Sequence, residues 1–119
     1  MERSAPPEDI PPLDFFTLWV PQAVAEDPER RRKLAATRAT IVFELKGEGG
    51  GSYRLRIEDG NVEGFLGGAE VPDLVVQVDV PTWRALNRGE LSAPEALLRR
   101  KVKLQGDFVL GLKLHLILG

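Results

Sequence analysis

The chain has 119 residues, 43% of them hydrophobic and 29% charged, with a net charge of −2 and no cysteine. Such a length suits one domain that buries roughly two thirds of the surface its unfolded chain exposes, with no need of metal or disulfide. The slight acidic excess argues against a nucleic-acid partner, whose mark is a basic surplus, and the missing cysteine removes disulfides, thiolate metal sites and cysteine nucleophiles together.

Residues 1–12, MERSAPPEDIPP, carry four prolines and predict a flexible or extended tail ahead of a single domain over residues 13–119. They show neither the basic start nor the apolar run of a secretory signal. The longest apolar stretch, Phe108–Leu118, is interrupted by Lys113 and His115 and is too short to span a bilayer. These features predict a soluble, cytoplasmic protein.

From Leu13 the period turns helical. Leu13, Phe16, Val20, Ala23 and Val24 share one face, while Phe15, Leu18 and Trp19 spill onto a second. Pro21 should kink this segment or begin a new turn. Asp27-Pro28-Glu29 reads as a fresh helix start, with the prolyl ring at the first helical position and the basic run Arg30, Arg31, Arg32 and Lys33 behind it, to about Ala36. That run is expected to be a solvated face; a weaker reading has it touch anionic lipid head groups together with Arg99, Arg100 and Lys101.

The period then becomes two. Thr40–Leu45 and Ser52–Ile57 read as strands joined by the glycine-rich turn Gly47–Gly51, with Tyr53, Leu55 and Ile57 alternating against Arg54, Arg56 and Glu58. Asp59-Gly60 is a hairpin signal leading to a third strand, Asn61–Leu66. Leu74–Asp79 is a fourth strand. Asp79 and Pro81 open a short helix holding Trp83 and Leu86, which Gly89 should stop. Ser92 with Glu95 is a capping box, and the helix behind it is expected to turn Ala96, Leu97 and Leu98 inward. Lys101–Gln105 is a short alternating strand.

Phe108–Leu118 is ambiguous by pattern alone. Leucines at alternate positions from Leu110 to Leu118 suit a strand, whereas Asp107 as a cap and the leucine-rich composition suit a helix. On a helical wheel the apolar residues occupy nearly the whole circumference, leaving a strip of Asp107, Gly111 and His115. A helix of that kind needs cover on more than one side.

Little here suggests catalysis. His115, the single histidine, has no carboxylate beside it in sequence and reads as a partly buried packing residue rather than a base. One histidine and no cysteine give no metal-ligand spacing. "GEGGG" lacks the Lys-Ser/Thr of a phosphate loop and precedes no helix, so it reads as a hairpin turn. No cofactor motif is present.

The stretch DLVVQVDVPTWRALNRGELSAPEALLRRKVKLQGDFVLGLKL, Asp73 to Leu114, resembles the sterol carrier protein 2 family. The shared order is a strand, a short helix with an aromatic or leucine anchor, a glycine turn and a proline-started helix. A basic strand ending in Gly106-Asp107 and an apolar terminal helix follow. TIVFELKGEGGGSYRLRIEDGNVEGFLGG fits the family's opening three-strand meander. The resemblance covers about two thirds of the chain and selects the helical reading of Phe108–Leu118. It implies an α+β fold: a five-stranded mixed sheet covered on one face by short helices, with N-terminal helices and an apolar C-terminal helix. Two departures stand out. A glycine commonly precedes the basic strand, where this chain has Arg99 and Arg100, a pair reminiscent of divergent accessory factors of bacterial ubiquinone biosynthesis. The terminal Leu118-Gly119 is not the peroxisomal tripeptide of the eukaryotic carriers.

The apolar excess on the helices then gains a use. A sheet offers one face to its helices, so further apolar helix faces need other cover. In the family that cover is a lipid chain held in a tunnel between sheet and helices. Phe16, Trp19 and Val20 from the first helical segment, and Trp83 and Leu86 from the helix after the fourth strand, are the expected lipid-binding residues there. Leu97 and Leu98, with Phe108, Val109, Leu112 and Leu116 of the terminal segment, complete the set. The expected function is non-catalytic binding or transfer of an acyl chain, sterol or prenyl lipid. The alternative is an accessory or scaffold subunit docking on lipid- or quinone-modifying enzymes, with homodimerisation through the terminal helix as a variant.

Overall fold

The structure, a computed structural model, describes residues 6–7 and 9–118. Strands β1 (Ala39–Lys46), β2 (Gly51–Glu58) and β3 (Asn61–Leu66) form an antiparallel meander. Asp59 and Gly60 join β2 to β3 with φ of 53° and 78°, the two positive dihedrals that a two-residue hairpin turn requires. Strand β4 (Leu74–Asp79) pairs parallel to β1, and β5 (Val102–Gly106) pairs antiparallel to β4. The five strands stand in the order β3-β2-β1-β4-β5. This is the mixed sheet the family resemblance implies.

Alternation decides which face is dry. Ile41, Phe43, Leu45, Tyr53, Leu55, Ile57, Leu74, Val76 and Val78 turn inward and are buried. On the opposite face the Arg54 guanidinium lies 4.6 Å over the Phe65 ring, and Gln77 Nε2 donates to Glu44 Oε1 at 2.7 Å.

The dry face is covered from the N-terminal side by three consecutive helical pieces: α1 (Pro12–Asp14), a π-helical stretch Phe15–Trp19, and α2 (Val20–Ala25). Pro21 has no N–H, so the carbonyl one turn before it loses its helical donor, and the widened stretch lies just there. The expected kink is thus taken up as a π-helical stretch. It lies directly on the sheet, because a Cβ at Gly64 of β3 would overlap the Phe16 carbonyl oxygen. The tail expected over residues 1–12 falls partly outside the described residues. Within them Ile10 is buried in the core, and its carbonyl accepts a hydrogen bond from Arg84 Nη1 at 3.1 Å. An apolar side chain with somewhere to bury ends the tail early.

Helix α3 (Pro28–Leu34) begins at Asp27, whose carboxylate accepts from the Arg30 amide at 3.2 Å. Asp79 caps α4 (Val80–Asn87) through the Thr82 amide at 2.8 Å. Ser92 caps α5 (Ala93–Leu98) through the Glu95 amide at 3.3 Å. The inward turn expected of three α5 residues holds for Ala96 alone. Leu98 is 86% exposed and Leu97 is exposed as well, because α5 has six residues and packs on the edge strand β5, and its steps of about 100° carry Leu97 and Leu98 away from that contact.

The terminal segment is helical, in two pieces: α6 (Phe108–Leu112) and α7 (Leu114–Leu118). Asp107 caps α6 by accepting from the Val109 and Leu110 amides. The break at Lys113 undoes the single wheel drawn from sequence. Gly111, placed there on the polar strip, instead lies against Leu104 of β5. His115 is exposed rather than partly buried, with Nδ1 2.9 Å from the Leu112 carbonyl. Helix α7 packs on α2 and α3, and Arg30 Nη1 donates to the His115 and Leu116 carbonyls at 3.1 and 3.3 Å.

Candidate functional site

Between the dry face and the helices runs a seam of aromatic rings. Phe16, presented by the π-helical stretch, stands 4.9 Å from Phe43 and 5.1 Å from Tyr53, and stacks on Trp83 at 6.2 Å. Phe15 meets Trp83 edge to face at 5.2 Å and lies flat on Trp19 at 5.4 Å. Offset and edge-on ring pairs of this kind contribute roughly 0.5–1.5 kcal/mol each beyond their burial. The seam reaches the surface at Trp19. There an open hollow of about 610 Å³ is lined by Pro7, Ile10, Pro11, Asp14, Leu18 and Trp19, among others.

The residues expected from sequence to bind lipid fall into two places. Phe16, Val20 and Trp83 are buried in the seam, with Trp19 half-buried at its outer end and Leu86 half-buried on α4. Leu116 is half-buried on α7. Leu97, Leu98, Phe108, Val109 and Leu112 are exposed, at 64%, 66% and 76% for the last three. They flank the edge strand β5 on α5 and α6. Sequence reasoning placed Phe15 on a second helix face and did not select Leu110 or Ile117; all three are buried in the same core. The periodicity that carried Phe16 into the set belongs to an α-helix, and a π-helical stretch brings its neighbour Phe15 inward too.

A second, polar hollow of about 150 Å³ lies where β1 and β4 end, lined by Lys46, Gln77, Val78, Asp79, Arg100, Lys101 and Lys103. Hydrogen bonds from the Thr82 hydroxyl and amide, with the Lys101 charge behind them, hold the Asp79 carboxyl below its ordinary range. The basic run on α3 is largely engaged within the protein. Arg30 pairs with Asp27 at 2.9 Å, and Arg32 and Lys33 both approach Glu29. Hydrogen bonds from Arg30 and Arg32, respectively, lower the carboxyls of Asp27 and Glu29 in the same way. Among the described residues no three His, Cys, Asp or Glu side chains gather as metal ligands, and no helix is long and apolar enough to cross a membrane.

A layer of helices on one face of a mixed sheet, with an apolar seam between them, is an α+β arrangement. The chain belongs to the SCP-2 sterol transfer family, whose sequence model matches residues 20–119. Hydroxysteroid dehydrogenase-like protein 2 of Homo sapiens is 32% identical over 82 residues, which make up 67% of this chain and 19% of that protein. The chain therefore corresponds to a small part of this longer relative. Solved structures share the fold. The sterol carrier protein domain 2 of Helicoverpa armigera superposes with a TM-score of 0.71 at 23% identity, covering 96% of this chain and 90% of that one. Palmitated SCP2L2 of Aedes aegypti gives 0.69 at 23%, covering 86% and 89%. The family's general property is binding and transfer of sterols and other lipids.

Proposed function

We propose that residues 13–119 act as one lipid-binding domain that takes an acyl, sterol or prenyl chain into the seam between sheet and helices, without catalysing a reaction on it. The observation that carries this reading is the aromatic seam itself, apolar along its length and reaching the surface at the Trp19 hollow. Ten buried methylenes contribute roughly 8 kcal/mol, against an association cost of about 4 kcal/mol or more and the cost of parting the rings. Apolar burial is thus the main favourable contribution for a chain of palmitate length, and it needs no charged anchor. The palmitated relative of Aedes aegypti lends the acyl chain weight as a ligand. The lack of cysteine suits action in the cytoplasm.

The accessory-subunit reading is not favoured, since the family is defined by sterol transfer rather than by docking. Native mass spectrometry of freshly purified protein, with organic extraction and lipid identification, tests the proposal. A discrete co-purifying lipid, or saturable binding by the delipidated protein, is the expected result. An apo mass that no fatty acid, acyl-coenzyme A, sterol or quinone shifts would sink it.

A further inference from the structure

Trp83 is only 5% exposed, and its indole N–H has no acceptor in the protein; on the same helix, the Asn87 side-chain amide nitrogen is buried in the same condition. Residues four apart on a helix share a face, so both unanswered donors belong to one face of α4. Buried donors are nearly always matched, because each one left unmatched bears the full cost of losing water. Two such donors, one turn apart on the helix that brings Trp83 into the seam, form a pattern that core packing does not explain. The ring of Trp83 is already fixed by Phe15 at 5.2 Å and Phe16 at 6.2 Å, which holds the N–H in a set direction. Asn87 as a residue is half-buried, so the pair lies just beneath the surface.

We propose that Trp83 Nε1 and Asn87 Nδ2 form the polar end of the lipid site and donate to the carbonyl oxygen of a bound lipid. This inference rests on the lipid-binding reading above and adds a selectivity to it. A carbonyl oxygen has two lone pairs and no hydrogen, which answers two donors. Two neutral donors offer no charge to offset the desolvation of a carboxylate. The site therefore selects lipids with a neutral carbonyl, esters and quinones among them, over alkanes and ionised acids. The carbonyl end sits beneath the surface at Asn87, with the chain running inward along Phe15 and Phe16.

The test compares methyl palmitate with hexadecane, ligands of similar apolar length with and without a carbonyl, on the wild type, Trp83→Phe and Asn87→Ala. Three quantities are read: the ratio of the two affinities, the indole proton–nitrogen resonance of Trp83, and the thermal midpoint of the apo protein. Methyl palmitate should move the Trp83 indole resonance downfield, while hexadecane should not shift it that way. In Trp83→Phe the affinity ratio should fall on the order of tenfold in favour of hexadecane, with no loss of apo stability attributable to the missing N–H. An unchanged ratio with both ligands bound would overturn the donor pair and leave the lipid reading standing, as would an indole resonance unmoved at saturation. A wild type that binds neither ligand overturns both readings. If Trp83→Phe does not fold, Asn87→Ala carries the same comparison, and its affinity ratio decides.

Discussion

At Gly64 the missing side chain sets how closely the N-terminal helical layer approaches the sheet. An added Cβ would overlap the Phe16 carbonyl oxygen and crowd the Thr17 backbone, and backbone has no rotamer with which to move aside. Gly64→Ala should lower unfolding stability by roughly 1–3 kcal/mol, the usual range for forced overpacking; urea denaturation measures it, and an unchanged midpoint would show that the π-helical stretch lifts freely. Arg100 presents the reverse case. It leaves α5 with φ of 59°, the left-handed conformation in which a helix commonly ends on glycine. A residue with a side chain stands there at a conformational cost. Arg100→Gly should raise stability by about 0.5–1 kcal/mol, the strain relieved less the extra freedom of the unfolded chain. A thermal midpoint that does not rise would contradict this.

At the scale of elements, caps and turns were legible because their chemistry is local. Asp27, Asp79, Ser92 and Asp107 cap the helices for which each was marked, and Asp59-Gly60 makes its hairpin. Burial of the short terminal helices was not legible. A helical wheel assumes an unbroken helix, and neither the break at Lys113 nor the contact of Gly111 with Leu104 is encoded in period. The capping carboxylates also set a pH dependence. Hydrogen bonds from Thr82 lower the folded-state value of Asp79, and those from Arg30 lower Asp27. A lowered folded value means stability that is complete above the ordinary value near 3.8, and that is lost as pH falls through the folded one. Urea midpoints should hold from pH 7 to pH 5 and fall toward pH 3. Asp79→Asn keeps a good cap without the titration, so its fall should be shallower; an equal fall would clear Asp79 of the effect.

For the molecule as a whole, strand number, strand spans and the helix-over-sheet layering followed from alternation and from the family likeness together. The parallel pairing of β1 with β4 came from the likeness alone, since nothing in either strand names its partner. The candidate site divided along the same line. The burial of Phe16, Val20 and Trp83 was legible, because a buried aromatic or β-branched residue shows in the period. The unanswered donors of Trp83 and Asn87 were not, since an indole N–H shows its lack of a partner only once every neighbour has been placed.

The bond from Arg30 to the His115 and Leu116 carbonyls has a consequence for how the molecule comes apart. The last carbonyls of a helix have no partner within it, and in α7 two of them are answered by one guanidinium reaching from α3. Helix α7 is thereby riveted to α3 across 85 residues of sequence, in addition to its packing on α2 and α3. Substituting Arg30 with Met keeps the aliphatic stem and removes the rivet. In such a variant the amides of α7 should exchange with deuterated solvent at least several-fold faster, while those of β1 and β2 keep wild-type protection. Uniform acceleration across both regions would mean that the terminal helix has no separate opening of its own and comes away only when the whole sheet does.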